Sequence, residues 1–143
     1  MTALPCFIDS NVWLYSLMTD PASSDRDEAR KYSLATQLLR SVNLIISTQV
    51  INEVCSVLAR KAGFTEAQIK QIVQEFYDSC AVVELNADIL LTASDLRTQY
   101  AFSFWDGLIV ASALFADVKV LYSEDMRDDL IVEQKLTIVN PFK

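Results

Sequence analysis

The chain has no histidine among its 143 residues. No imidazole is available as general base, nucleophile or metal ligand. That excludes Ser-His-Asp and Cys-His triads, histidine-based ribonucleolysis and histidine-containing zinc sites. Glycine is nearly as scarce: Gly63 and Gly107 are the only two. They are too far apart for a dinucleotide fingerprint or a Walker-type phosphate loop. With only three prolines, the chain is also a poor match for an all-β sandwich with many tight turns. The three cysteines, Cys6, Cys55 and Cys80, form no C-x-x-C pair, and each sits in an apolar stretch. They read as small buried thiols of a reducing compartment rather than as a zinc, redox or disulfide framework. No apolar run approaches the roughly 20 residues that span a bilayer. The start, MTALPCFIDS, has no basic segment and meets Asp9 early, so a cytoplasmic protein without a leader or membrane anchor is expected. Basic charge is short as well, with 12 Lys and Arg against 19 Asp and Glu and a net charge of −7. Taken alone, this disfavours a nucleic-acid binder. The exception is a site whose acids gather around divalent cations, which inverts the local field.

What is present is apolar and periodic. Hydrophobic residues make up 52% of the chain, enough for one domain over residues 1–143 to bury a core. Short β-branched runs alternate with longer helical ones. Pro5 to Ile8 reads as a strand ending at Asp9, and a helix begins near Asn11 and reaches Leu17. Asp20 to Ser24 reads as a loop, with Ser23, Ser24 or Asp25 capping the next helix. Leu44 to Ile46 is a second strand. Ser47 or Thr48 caps a helix to about Lys61 that ends at Gly63. Thr65 caps another to about Asp78, Ala81 to Val83 is a third strand, and Asn86 starts a helix to about Tyr100. Phe104 to Ala116 has helical spacing, and Lys119 to Tyr122 and Leu136 to Val139 read as fourth and fifth strands. This alternation predicts a three-layer α/β/α sandwich with a mostly parallel central sheet. Sites in such sheets form at the carboxyl ends of strands.

Acidic residues fall at those places. Asp9 follows the first strand, and Glu124 and Asp125 follow the fourth. Asp106 opens the helix after Phe102-Ser103-Phe104-Trp105. Each has an ordinary explanation. Asp9 can be an N-cap, Asp106 a first-turn acid favouring the helix dipole, and Glu124 to Asp129 a solvated acidic loop. Glu53 lies inside a helix and shares its polar face with Gln49, Ser56 and Arg60, as a solvated glutamate would. Two features point the other way. Asp106 lies on the face of Ile109, Val110 and Ala113, where a carboxylate needs a partner. Carboxylates from several strand ends are also what a hard divalent cation such as Mg²⁺ or Mn²⁺ takes as ligands. Such a cation activates water without any histidine.

Four segments together resemble the PIN-domain ribonucleases, and among them the VapC-like toxins of bacterial toxin–antitoxin pairs. They are Phe7-Ile8-Asp9-Ser10-Asn11, Thr48-Gln49-Val50-Ile51-Asn52-Glu53, Phe104-Trp105-Asp106-Gly107-Leu108-Ile109 and Leu121-Tyr122-Ser123-Glu124-Asp125-Met126. Ile138-Val139-Asn140-Pro141-Phe142 resembles a common family ending. The resemblance implies a metal site of Asp9, Glu53, Asp106 and Asp125, supported by Asn11 and Ser123, with Glu124 or Asp128 as substitutes for Asp125. It implies hydrolysis of RNA phosphodiester bonds with one or two Mg²⁺ or Mn²⁺ ions, a homodimer, and a small antitoxin partner that reaches the acidic pocket with a basic residue. The apolar helix from Val12 to Met18 is a candidate dimer surface. Arg60, Lys61, Arg97 and Arg127 are candidate phosphate contacts, though surface salt bridges explain them equally well. Trp13, Tyr15, Trp105 and Tyr122 are candidate base-stacking residues, or core and interface residues. Two other functions fit parts of the pattern. A haloacid-dehalogenase-like phosphatase also has an Asp after its first strand, but it needs a second Asp where Asn11 stands. A phospho-acceptor receiver domain would want its acceptor on a central strand, not at Glu53. A non-catalytic PIN-like interaction protein is the non-enzymatic alternative.

Overall fold

Cys6, Phe7 and Ile8 are all buried, so the strand they form has apolar neighbours on both faces, as a central parallel strand requires. In the computed structural model, which describes residues 4–41 and 43–143, this strand is β1 (Pro5–Ile8). The first three residues of the segment read for a leader lie outside the described residues. Then follow α1 (Ser10–Met18), α2 (Arg26–Ser41), β2 (Asn43–Ser47), α3 (Thr48–Lys61), α4 (Glu66–Ser79), β3 (Ala81–Val83), α5 (Ala87–Tyr100), α6 (Phe104–Phe115), β4 (Val120–Tyr122), β5 (Ile131–Val132) and β6 (Leu136–Val139). The sheet order is β3-β2-β1-β4-β6-β5. Every pairing is parallel except β5 with β6. The helices complete the three-layer α/β/α sandwich that the alternation predicts.

The local causes of the elements are visible. Asp9, Ser47, Thr65, Asn86 and Ser103 each accept a backbone N–H as N-caps of α1, α3, α4, α5 and α6. These side-chain acceptors satisfy donors that a helix start leaves free. Of the three candidate caps before α2, Asp25 accepts from the backbone of Asp27 and Glu28. After α3, Gly63 sits at φ +67°, a left-handed turn that costs glycine no Cβ clash. Two differences from the sequence expectation are small. Helix α1 starts at Ser10, and the edge strand β5 precedes the strand expected fifth.

The order places β1 and β4 side by side, with Ile8 in register with Tyr122. From β1 the chain proceeds outward through β2 and β3, then returns to β4 on the other side. The carboxyl ends of β1 and β4 therefore flank the topological switch point, where open α/β sheets build their sites. Beneath it lies a core that includes Phe7, Ile8, Ile46, Leu58, Leu121 and Ile138, all fully buried. Helix α1 contributes Val12 and Trp13 to this core. Of the expected dimer surface, Val12 and Trp13 thus face the core, Leu14, Tyr15 and Leu17 pack partly against it, and Met18 is exposed. No helix among the described residues is long and apolar enough to cross a membrane.

Candidate active site

Asp9 leaves β1 with 5% of its surface exposed. Its Oδ1 accepts the backbone N–H of Ser10 at 2.7 Å, and its Oδ2 accepts the Ser123 hydroxyl at 2.8 Å. Its own N–H donates to the Tyr122 carbonyl at 3.0 Å, locking the β1 exit to β4. Burial pushes its carboxyl up to about 6; the bonds from Ser123 and Ser10 oppose this, and the charges of Glu53 and Asp106 add to it. The N-cap explanation for Asp9 is therefore correct but incomplete. An exposed cap would not need burial beside two other acids.

Glu53 is half-buried rather than solvated. Its Oε1 accepts from Gln49 Nε2 at 2.8 Å and its Oε2 from the Ser10 hydroxyl at 3.2 Å. Gln49, read from the helix face as a polar surface residue, is 8% exposed. The reason is tertiary: Nε2 also donates to the main-chain carbonyl of Trp105 at 3.2 Å. This contact ties α3 to the first turn of α6. Ser103 Oγ caps that turn on the N–H of Asp106, which leaves the Asp106 carboxylate half-buried on the site side. Close packing of α6 on α5 holds it there. A Cβ added to Gly107 would stand 2.7 Å from Arg97 Cγ and 3.3 Å from the Ala93 carbonyl oxygen.

Asn11 joins the fourth acid to the first. Its Nδ2 donates to Asp125 Oδ2 at 3.2 Å and lies 3.5 Å from Asp9 Oδ2, while its Oδ1 accepts the N–H of Glu124 at 3.2 Å. The neighbouring acids are engaged elsewhere. Glu124 is ion-paired with Lys31 at 2.6 Å and accepts the Tyr15 hydroxyl at 2.8 Å. Asp128 accepts the N–H of Asn140 at 2.7 Å and pairs with Lys143 at 3.3 Å. Asp125 lines one cavity with Asp106. All six expected residues thus lie around the switch point. Ser10 and Gln49 were not singled out from the sequence. Gln49 was legible as the i,i+4 neighbour of Glu53, but its burial was not.

The other expectations sort by environment. Trp13 is buried edge-on to Phe76. Tyr15 is engaged by Glu124 and Lys31, and only Trp105 of the four stacking candidates is exposed, at 61%. Arg97 lies over the Phe104 ring at 4.2 Å and donates to the Phe104 carbonyl. Cys6 and Cys55 are buried free thiols and Cys80 is half-buried. Burial pushes Cys6 and Cys80 up to about 11.

The donor chemistry fits a hard divalent cation: the acids offer only oxygen, and none of Asp9, Glu53, Asp106 or Asp125 has a Lys or Arg partner among the described ion pairs. In their present orientations the neutral donors Ser10, Asn11, Gln49 and Ser123 hold most of the carboxylate oxygens. Among the described residues no three His, Cys, Asp or Glu side chains converge closely enough to share one ion.

A mostly parallel sheet with carboxylates around its switch point defines an α/β protein with an acidic site at the carboxyl ends of its strands. Residues 6–130 match the family model of the PIN domain, and the chain belongs to that family. This sets aside the phosphatase and receiver-domain readings. No curated protein matches the sequence. Among solved structures, the chain is similar to a toxin–antitoxin complex from Klebsiella pneumoniae at 20% identity and a TM-score of 0.68, covering 95% of this chain and 97% of the other. It is similar to VapC20 of Mycobacterium tuberculosis, a sarcin-ricin-loop-cleaving toxin, at 16% identity and TM-score 0.63, over 81% and 86% of the two chains. VapBC2 of Rickettsia felis, bound to a DNA fragment from its promoter, matches at 16% and 0.64, over 94% and 97%. At these identities the likeness concerns the fold.

Proposed function

We propose that this PIN-domain protein is a divalent-metal-dependent endoribonuclease and the toxin of a toxin–antitoxin pair. The observation that carries the reading is Asp9, a buried carboxylate with no counter-ion among the described residues, placed at the switch point beside the charges of Glu53 and Asp106. The similarity to VapC20 and to two toxin–antitoxin assemblies supports the RNA substrate and the antitoxin partner. Asp9, Glu53, Asp106 and Asp125 are the ligands in this reading. When bound, Mg²⁺ or Mn²⁺ supplies a water of lowered pKa and neutralises charge on the phosphodiester. The protein's part is orientation. Ser123 and the Ser10 N–H fix Asp9, Gln49 and Ser10 fix Glu53, the Ser103 cap fixes the Asp106 turn, and Asn11 holds Asp125 toward Asp9. The net charge of −7 suits a basic antitoxin segment entering this pocket. A homodimer and a cytoplasmic location complete the reading.

The test is cleavage by the partner-free protein of an RNA panel that includes tRNA and rRNA fragments, with Mg²⁺, Mn²⁺ or EDTA, beside Asp106→Asn. Cutting should require the metal and fall by more than about 100-fold in the variant, beyond what changes around a metal site's ligands usually cost. Cutting that survives EDTA and the substitution would sink the mechanism.

A further inference from the structure

A cavity of about 650 Å³ opens beside Glu53 between α3 and the first turn of α6, lined in part by Gln49, Asn52, Glu53, Arg60, Leu85 and Trp105. Its volume lies in the range of small-ligand pockets. Three features of its wall are unexplained by the fold. The first is Trp105, 61% exposed; the only other tryptophan, Trp13, is buried in the core. The second is Arg60, exposed and without an ion pair among the described residues. The third is Gln49. Its Nε2 points at two acceptors, the Glu53 carboxylate and the Trp105 carbonyl, so the amide cannot be reversed without setting oxygen against oxygen. Its Oε1 is then left buried with no donor among the described residues, a costly state for an acceptor enclosed in protein.

An aromatic face, a free cation and an unpaired amide acceptor beside the acidic site match one chemistry. We propose that this cavity is a nucleobase subsite for the RNA nucleotide next to the bond that is cut, a reading that rests on the endoribonuclease assignment. The base stacks on Trp105, as splayed bases of single-stranded RNA do on aromatic side chains. A base N–H is the donor that Gln49 Oε1 lacks, and Arg60 takes a flanking phosphate. The charged side chains of Glu53 and Arg60 in its wall argue against a second copy of this chain as the occupant, because the centre of a self-association patch is depleted of charged groups. Gln49 thereby links recognition to the site: the same amide that meets the base also holds Glu53.

The experiment uses the full chain in the Asp106→Asn background, with Mg²⁺ present, so that cutting is suppressed. Single-stranded five-nucleotide RNAs of each base, and an abasic RNA of equal length, are titrated while tryptophan emission and the anisotropy of end-labelled RNA are recorded. The base-bearing RNAs should quench emission saturably and the abasic RNA should not. Trp105→Ala should remove the quench and weaken binding about 10-fold, within what one stacked base contributes. Gln49→Met should fold, since it removes the orphan acceptor, and should flatten the affinity ranking among the four bases. Equal quenching by abasic RNA, or unchanged affinity in Trp105→Ala, overturns the subsite. So does an emission shift that follows protein concentration without RNA and coincides with a dimer in sedimentation, which would make a second copy the occupant. If the otherwise unaltered protein cleaves RNA with metal while its Trp105→Ala and Gln49→Met variants bind and cut as it does, the subsite fails alone. If the unaltered protein neither binds nor cuts RNA, the endoribonuclease reading fails with it.

Discussion

Asp9 carries two roles that oppose each other. As a cap it satisfies the start of α1, and as a buried acid beside Glu53 and Asp106 it is held with its carboxyl raised to about 6. The folded form therefore takes up a proton before the unfolded chain does. Between the ordinary carboxylate range and pH 6 the fold binds more protons, so the contribution of this group to stability falls as pH rises through that window and stays low above it. Asp9→Asn keeps a capping oxygen for Ser10 and removes the charge. Its expected effect is a gain on the order of 3 kcal/mol at pH 8 that shrinks toward zero by pH 4, read by denaturant unfolding at the two pH values, with RNA cleavage lost at both. A variant less stable than the parent at pH 8 would contradict the unpaired-charge account. Asp9 was legible in the sequence because an apolar strand ends on it. The choice of Asp125 over Glu124 or Asp128 was left open, since only the distant partners Lys31 and Lys143 show which acids are engaged elsewhere.

At the scale of elements, the third acid depends on how closely α6 can approach α5. Gly107 stands in the first turn of α6, against the stem of Arg97. Arg97 is itself fixed over the Phe104 ring and bonded to the Phe104 carbonyl. Alanine in an exposed helix would gain about 1 kcal/mol over glycine. Here its methyl meets a held side chain near its root and a backbone carbonyl behind it, and overpacking of that kind costs about 1–3 kcal/mol. Gly107→Ala should lower stability by about 1 kcal/mol net and weaken Mn²⁺ binding, because Asp106 is the preceding residue; unfolding curves and a Mn²⁺ titration read both. Greater stability with unchanged Mn²⁺ affinity would show that the helices simply move apart. Most elements were legible because each has its own cap and its own apolar run. The exception is β5: two residues are too few to show alternation, and its existence depends on the antiparallel edge offered by β6. The burial of Gln49 escaped for a similar reason. It is set by a carbonyl on α6, 56 residues away, and the periodicity of α3 carries no record of that contact.

For the whole molecule, the net charge of −7 is not spread evenly in its consequences. The ion pairs among the described residues involve Asp27, Glu124 and Asp128, while Asp9, Glu53 and Asp125 at the switch point have neutral donors instead. A cation that binds there stabilises the folded chain alone, since the unfolded chain cannot bring α1, α3, α6 and the β4 exit together. At a hundred times its Kd the gain is about 2.7 kcal/mol, which for a chain of this length raises Tm by roughly 10 °C. Mn²⁺ should therefore give a saturable rise in Tm at pH 7.5. Below pH 6 the proton that Asp9 takes up competes with the ion, so the rise should fade toward pH 5. Asp9→Asn should start from a higher Tm and gain little from the ion at either pH, because the charge that destabilises the metal-free fold is the charge that attracts the cation. Raised NaCl lowers the Tm of a chain whose surface attractions outweigh its repulsions and raises that of one with excess like charge; the latter is expected here, but without the dependence on Asp9. A Mn²⁺ effect that is equal in parent and variant, or that NaCl reproduces at matched ionic strength, would reduce the site to general screening of an acidic protein. A shift confined to the divalent ion and to the intact Asp9 would separate the metal site from the surface charge around it.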